Sequence, residues 1–257
     1  MRRADGTEVD LARFRAWLFD LDGVLTRTAD VHAAAWKATF DRFLDAEHLT
    51  PPFDPVGDYL AYVDGRPRAD GVRQFLASRR LEVPEGEPGD PSDASTVAGI
   101  SASKDARFRE ALARDGVAVY EGTIAVVREL RAGGVATAVV SASNNTRAVL
   151  DRAGIADLFD VCIDGLAVEE RHLAGKPAPD SYLEAARLLG VVPADAVMVE
   201  DALVGVEAGR AGGFGLVVGV DHSGHGADLL AHGADVVVTD VRELMEQTTD
   251  GPSGNRT

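Results

Sequence analysis

The sequence predicts an α/β fold: a parallel sheet with helices on both faces, carrying an all-helical domain inserted after its first strand. Three observations predict it. After Gly116, short apolar runs alternate with amphipathic ones, the β-α-β-α rhythm of a parallel sheet. Between residues 31 and 117 the pattern is helical, with no convincing buried strand. Ahead of that stretch stands one isolated apolar run, residues 16 to 19 (Ala-Trp-Leu-Phe), ended by Asp20 and turned at Gly23.

The elements follow in order. From about Asp30 the period becomes helical, with Trp36, Phe40 and Phe43 on one face. Further helical fragments, such as Gly71 to Arg80, fill residues 50 to 117. Glu82 to Ser95 is rich in Pro, Gly and acids and reads as an exposed loop. Thr123 to Arg131 is helical, stopped by Gly133-Gly134. Val135 to Val140 is a buried strand, Asn145 to Ala153 a helix ended by Gly154, and Phe159 to Ile163 a strand. Ser181 with Glu184 three residues on reads as a capping box, in a helix closed by Gly190. Ala196 to Val199, Gly215 to Val220 and Asp235 to Val238 complete the strands. The expected division is a core of residues 1–30 and 118–257 and an insert of residues 31–117. The tail Asp250 to Thr257 is expected to be disordered.

The 257 residues are 46% hydrophobic and 26% charged, enough to bury a sizeable core. The net charge of -16 repels polyphosphate backbones and argues against nucleic acid. A single cysteine, Cys162, excludes a disulfide within the chain and fits a reducing, cytoplasmic setting. No apolar stretch follows the N-terminal arginines as a signal peptide needs, and no run approaches the roughly 20 residues of a membrane span. A monomer or weak homo-oligomer is expected. Only Lys37, Lys104 and Lys176 are lysine among 26 basic residues, so lysine marks places where a compact ammonium is wanted.

In open parallel sheets, ligands bind beyond the carboxyl ends of the strands. The polar residues there are Asp20 and Asp22, then Ser141, then Glu200 and Asp201, with Lys176 in a nearby loop. Acids, a hydroxyl and a lysine at successive strand ends suit a phosphate bound with a hard divalent cation. Asp20, Asp22, Glu200 and Asp201 are the candidate Mg2+ ligands. Asp20 is the candidate nucleophile, forming an aspartyl phosphate. Asp22, two residues on, would be the general acid/base, its pKa raised beside an ionised Asp20. Lys176 would oppose the acids and contact the phosphoryl group, and Ser141 would donate its hydroxyl. Taken singly, each has a plainer reading: Asp-x-Asp as a turn, Ser141 and Glu200-Asp201 as caps, Lys176 as a solvated charge. Their order and spacing at successive strand ends favour the site.

These residues resemble the haloacid dehalogenase superfamily, and within it the β-phosphoglucomutase group. The four motifs are Phe19-Asp20-Leu21-Asp22-Gly23-Val24, Val140-Ser141-Ala142-Ser143, Gly175-Lys176-Pro177-Ala178-Pro179-Asp180 and Glu200-Asp201-Ala202. The resemblance spans about Ala16 to Leu244 and implies a Rossmann-like core with an inserted helical cap. It also implies further roles. Thr28 would adjust the hinge and His32 would support the acid/base. Arg68, in Gly65-Arg66-Pro67-Arg68, would hold the non-transferring phosphate, together with Ser143 and Asn145 at a helix N-terminus. Lys104 would contact substrate. Three positions depart from the group's pattern: Arg27 for an aspartate, Asn144 for a lysine beside the distal phosphate, and Asp105 for an asparagine.

The resemblance implies a mutase moving a phosphoryl group from Asp20 to β-glucose 1-phosphate, giving glucose 6-phosphate through the 1,6-bisphosphate. A sugar-phosphate phosphatase would use the same residues. A non-catalytic sugar-phosphate sensor is disfavoured by the presence of Asp20, Asp22, Lys176 and Asp201 together.

Overall fold

The structure is a computed structural model describing residues 1–222 and 224–249; the expected disordered tail lies outside them. Six strands form one parallel sheet: β1 (Ala16–Asp20), β2 (Ala136–Val140), β3 (Val161–Ile163), β4 (Ala196–Glu200), β5 (Leu216–Val220) and β6 (Val236–Val238). Their order is β3-β2-β1-β4-β5-β6. The helices in chain order are α1 (Ala29–Ala46), α2 (Arg68–Ser78), α3 (Val97–Asp115), α4 (Glu121–Ala132), α5 (Thr146–Ala153), α6 (Gly165–Glu170), α7 (Asp180–Leu189), α8 (Leu203–Ala211), α9 (Gly226–His232) and α10 (Arg242–Thr249).

The first strand is the middle of the sheet and is buried along its whole length. Its side chains alternate between faces, as the two-residue period of a strand requires. Trp17 and Phe19 join the cluster containing Ile124 and Val127 of α4. Ala16 and Leu18 join the one containing Tyr182 and Ala185 of α7. Asp20 pairs in register with Val140, and Phe19 with Val199. Asp20, Ser141 and Glu200 therefore emerge side by side at one end of the sheet.

Between β1 and β2 the chain is helical. A third cluster, centred on Trp36, Phe40, Phe53 and Phe75, holds α1 and α2 together with the start of α3. The Phe40 and Phe75 rings meet at 4.0 Å between centroids. Ala35, Phe108 and Leu112 instead join the core cluster under β1. The two chain connections lie side by side: Arg27 N donates to Ala118 O at 2.8 Å, and Tyr120 N to Leu25 O at 3.0 Å.

Helix ends mostly follow the expected signals. Gly134, Gly154 and Gly190 have φ of 76°, 66° and 71°, the left-handed region that stops a helix. The capping box at Ser181 does not form. Asp180 opens α7, Pro179 stands at the cap, and Ser181 is buried inside the first turn. Glu184 pairs with Arg171 and Arg187 instead of turning back to the helix start, because two guanidinium partners hold a carboxylate more firmly than one backbone N–H.

Candidate active site

The end of β1 delivers Asp20, only 6% exposed, into a cavity of about 60 Å³ between the sheet and the helical insert. All the predicted site residues except Thr28 and Asn145 line it. Lys176 reaches in from the loop before α7, and its Nζ donates to Asp20 Oδ1 at 2.5 Å. It also pairs with Glu200 Oε1. Burial opposes the ammonium's charge, yet Asp20 and Glu200 hold the Lys176 pKa well above its usual value. Asp20 is also pushed up, well above the ordinary carboxylate range. Burial raises it most, Lys176 opposes, and Glu200 and Asp22 raise it further. Ser141 Oγ accepts from Ser143 N at 3.1 Å, which leaves its own proton free for a ligand oxygen.

Asp22 occupies a different environment. Its carboxylate accepts from the Thr28 hydroxyl, which lies 2.7 Å from Thr26 Oγ1. Thr28 stands at the cap of α1 but its side chain caps nothing; it serves Asp22 instead. His32 Nε2 is 3.3 Å from Asp22 Oδ1, within ion-pair reach although not aligned as a hydrogen bond. Lys104 Nζ approaches His32 Nδ1 at 2.5 Å. A lysine ammonium can only donate, so it leaves the imidazole proton on Nε2, facing Asp22.

The expected raised pKa of Asp22 is corrected here. Burial is the largest influence and raises it, but His32, Thr28 and Lys104 together outweigh burial and bring it down to about 2. Asp20 is the carboxyl that is raised. The reason is placement: Asp22 turns into a nest of donors at the junction of core and insert, whereas Asp20 shares one ammonium with a second buried acid. Lys104 is pushed down to about 7, by burial first and then by Arg68.

The expected metal ligands are also narrowed. Among the described residues, no three His, Cys, Asp or Glu side chains form a metal-holding group. Glu200 is already engaged: Oε1 accepts from Lys176 and Tyr182, and Oε2 from Ala202 N at 2.8 Å. Asp22 Oδ1 faces both Thr28 and His32, which draw that carboxylate toward the insert. Asp20 and Asp201 remain. Gly23, at φ 85°, lets Asp201 close over the first motif; a Cβ there would collide with the Asp201 carboxylate. Burial, Asp64, Glu200 and Asp20 push Asp201 well above the usual carboxylate range. Two hard oxygen donors in a crowd of buried acids fit a magnesium ion, which binds through one or two carboxylates and keeps the rest of its shell for water and phosphate.

Arg68 and Asn145 both turn to Asp105. Arg68 Nη2 is 2.7 Å from Asp105 Oδ1, and Asn145 Nδ2 donates to the same oxygen at 2.8 Å. Ser143 lines the cavity, and its Oγ accepts from Asn145 N at 3.2 Å. Sequence reasoning missed Asp64 and Tyr59, which line the cavity from the insert. Asp64 accepts from the Tyr59 hydroxyl and is pushed up to about 7, by burial first and then by Glu200. Its only signal was its position directly before Gly65-Arg66-Pro67-Arg68. Gly65 brings it in: a Cβ there would meet Val204 Cγ2 at 2.8 Å and Ala202 Cβ at 3.0 Å.

Residues 14–213 match the family model of the haloacid dehalogenase-like hydrolases, and the chain belongs to that family. A β-phosphoglucomutase of Mycobacterium bovis is 50% identical over 241 residues, covering 91% of this chain and 92% of the relative. Hexitol phosphatase A of Escherichia coli is 30% identical over 201 residues, covering 78% and 81%. A crystal structure of β-phosphoglucomutase from Clostridium difficile superposes with a TM-score of 0.71 at 23% identity, covering 92% and 96%, which extends the likeness of fold. The chain is therefore an enzyme of the phosphotransferase and phosphatase type, within the β-phosphoglucomutase-like group.

Proposed function

We propose that the enzyme is a Mg2+-dependent β-phosphoglucomutase, converting β-glucose 1-phosphate to glucose 6-phosphate through the 1,6-bisphosphate and a phosphorylated Asp20. The observation that carries this reading is the 50% identity, over most of both chains, to a β-phosphoglucomutase, and the state of Asp22 fits it. A carboxyl held near 2 is ionised at neutral pH, so it starts the cycle as a base. That suits transfer from an already phosphorylated Asp20 to a sugar hydroxyl. Asp22 takes the hydroxyl proton as the acceptor oxygen bonds to phosphorus and the Asp20–phosphorus bond breaks. When the other phosphoryl group returns to Asp20, the protonated Asp22 gives that proton to the departing sugar oxygen. The proton count closes over the cycle without solvent. His32 and Thr28 hold Asp22 ionised and aimed.

Lys176 holds Oδ1 of Asp20, leaving Oδ2 as the attacking oxygen. Ser141 donates to a phosphoryl oxygen. A magnesium ion at Asp20 and Asp201 would neutralise the phosphoryl group and lower both carboxyl pKa values. Residues 31–117 act as a cap on the core of residues 1–30 and 118–257. The paired connections at Leu25–Arg27 and Ala118–Tyr120 are its hinge. Closure keeps water from the aspartyl phosphate.

Phosphorus NMR of the protein with magnesium and β-glucose 1-phosphate, primed with the bisphosphate, tests it. Glucose 6-phosphate without free phosphate is the expected product. Stoichiometric inorganic phosphate would make the enzyme a sugar-phosphate phosphatase instead.

A further inference from the structure

We infer that Asp105 is a specificity-determining residue: its carboxylate is an internal anion that competes with the substrate's second phosphate for Arg68 and Asn145. The inference rests on the phosphoryl-transfer reading above. Arg68 from α2 and Asn145 from the start of α5 both contact Asp105 Oδ1, at 2.7 and 2.8 Å. Oδ2 is held by Arg109 Nη2 at 2.9 Å. One carboxylate from the insert therefore stands where an insert guanidinium and a core carboxamide meet. A phosphate oxygen would use those same N–H groups. Two anions cannot share them at close range without strong repulsion.

A second observation leaves room for an anion there. Beside Arg68 the catalytic cavity continues into a chamber of about 160 Å³, lined also by Ser101, Asn144 and Glu169. At roughly 10–15 Å³ of such space per water, it has room for on the order of ten waters, enough to admit a phosphate group. Ser101 Oγ is buried with no hydrogen-bond partner. Arg68 Nη1 lies beside it, in a long, 3.5 Å contact with the Ser101 carbonyl. An unanswered hydroxyl beside a guanidinium is a place for an anion oxygen. Within the protein, Arg68 is answered by Asp105 and by the field of Glu169. The site has the donors of a phosphate clamp and a carboxylate already in it, so the second phosphate binds only by displacing Asp105.

The test measures binding by calorimetry in magnesium, on an Asp20→Asn background that cannot accept a phosphoryl group. The probes are glucose 1,6-bisphosphate, which reaches both ends of the site, and glucose, which carries no phosphate for the clamp. Removing the competing charge with Asp105→Asn is expected to tighten bisphosphate roughly tenfold or more, the scale of one charge-assisted hydrogen bond, and to leave glucose within about twofold. Adding Arg68→Ala is expected to erase the gain. Equal tightening of both probes, no tightening of bisphosphate, or a gain that survives Arg68→Ala would each overturn the inference. Asp105→Ser repeats the measurement if the asparagine variant melts early. Release of free phosphate in the NMR assay would remove the mutase reading but would leave this affinity ratio to be judged separately.

Discussion

Two buried charge clusters meet at the cavity, and they are built differently. Asp20, Lys176 and Glu200 come from strand ends and a core loop, and they answer one another within the core. Asp22, His32, Lys104 and Thr28 straddle the junction between core and insert, so each depends on how the helices sit. The first cluster raises an acid above its usual range and the second lowers one. The difference teaches that sharing a motif does not give two aspartates one environment: two residues along, Asp22 leaves the sheet and is claimed by the insert. Under the proposed function, the core cluster carries the phosphoryl group and the junction cluster governs the acceptor.

The largest effect should come from breaking the core cluster. Asp20→Ala is expected to cost on the order of 10⁴-fold or more in kcat, as removal of a nucleophile does elsewhere. Turnover retained in a steady-state assay would remove Asp20 from the chemistry. Lys176→Met leaves Asp20 and Glu200 buried without their cation, and is expected to lower unfolding free energy by about 3–5 kcal/mol, read from urea denaturation.

The junction cluster should fail differently. His32→Ala is expected to lower kcat by about 10²–10⁴-fold, the range for general acid–base assistance. Phosphorylation of Asp20 by an acyl phosphate should persist, because that leaving group needs no proton. Loss of both activities together would join the clusters into one unit. Lys104 supplies a pH signature. With its pKa at about 7 it is charged below that pH and neutral above it, so affinity for an anionic sugar phosphate should weaken as pH rises through about 7. Lys104→Arg, which stays charged, should flatten that part of the KM profile relative to the parent protein. An unchanged inflection would assign it to another group.

The smallest expected effect concerns the contact between the two regions. A Cβ on Gly175 would meet Pro67 Cγ at 2.6 Å, so Gly175→Ala should hold the insert slightly off the core. The expected result is a several-fold larger share of free phosphate among the products, with the melting temperature within a few degrees of the parent, as for a single mild substitution. An unchanged product ratio would show that the Pro67 contact does not control water access.

Much of this was legible in the chain because it is local. The apolar run before Asp20, the glycines that stop α5 and α7 and the strand rhythm after Gly116 report backbone preferences within a few residues. The order of polar strand ends then pointed to Asp20, Ser141, Lys176, Glu200 and Asp201, because a parallel sheet brings its carboxyl ends to one edge. The tertiary structure decided what local pattern cannot carry. It turned Asp22 toward His32 and Thr28 and so reversed the expected direction of its pKa. It engaged both oxygens of Glu200, brought Asp64 in over Gly65, and set Asp105 between Arg68 and Asn145. The physical reason is range: a strand or a helix stop is set by neighbours in sequence, but the charge state and partner of a buried acid are set by groups that only packing brings within a few ångströms.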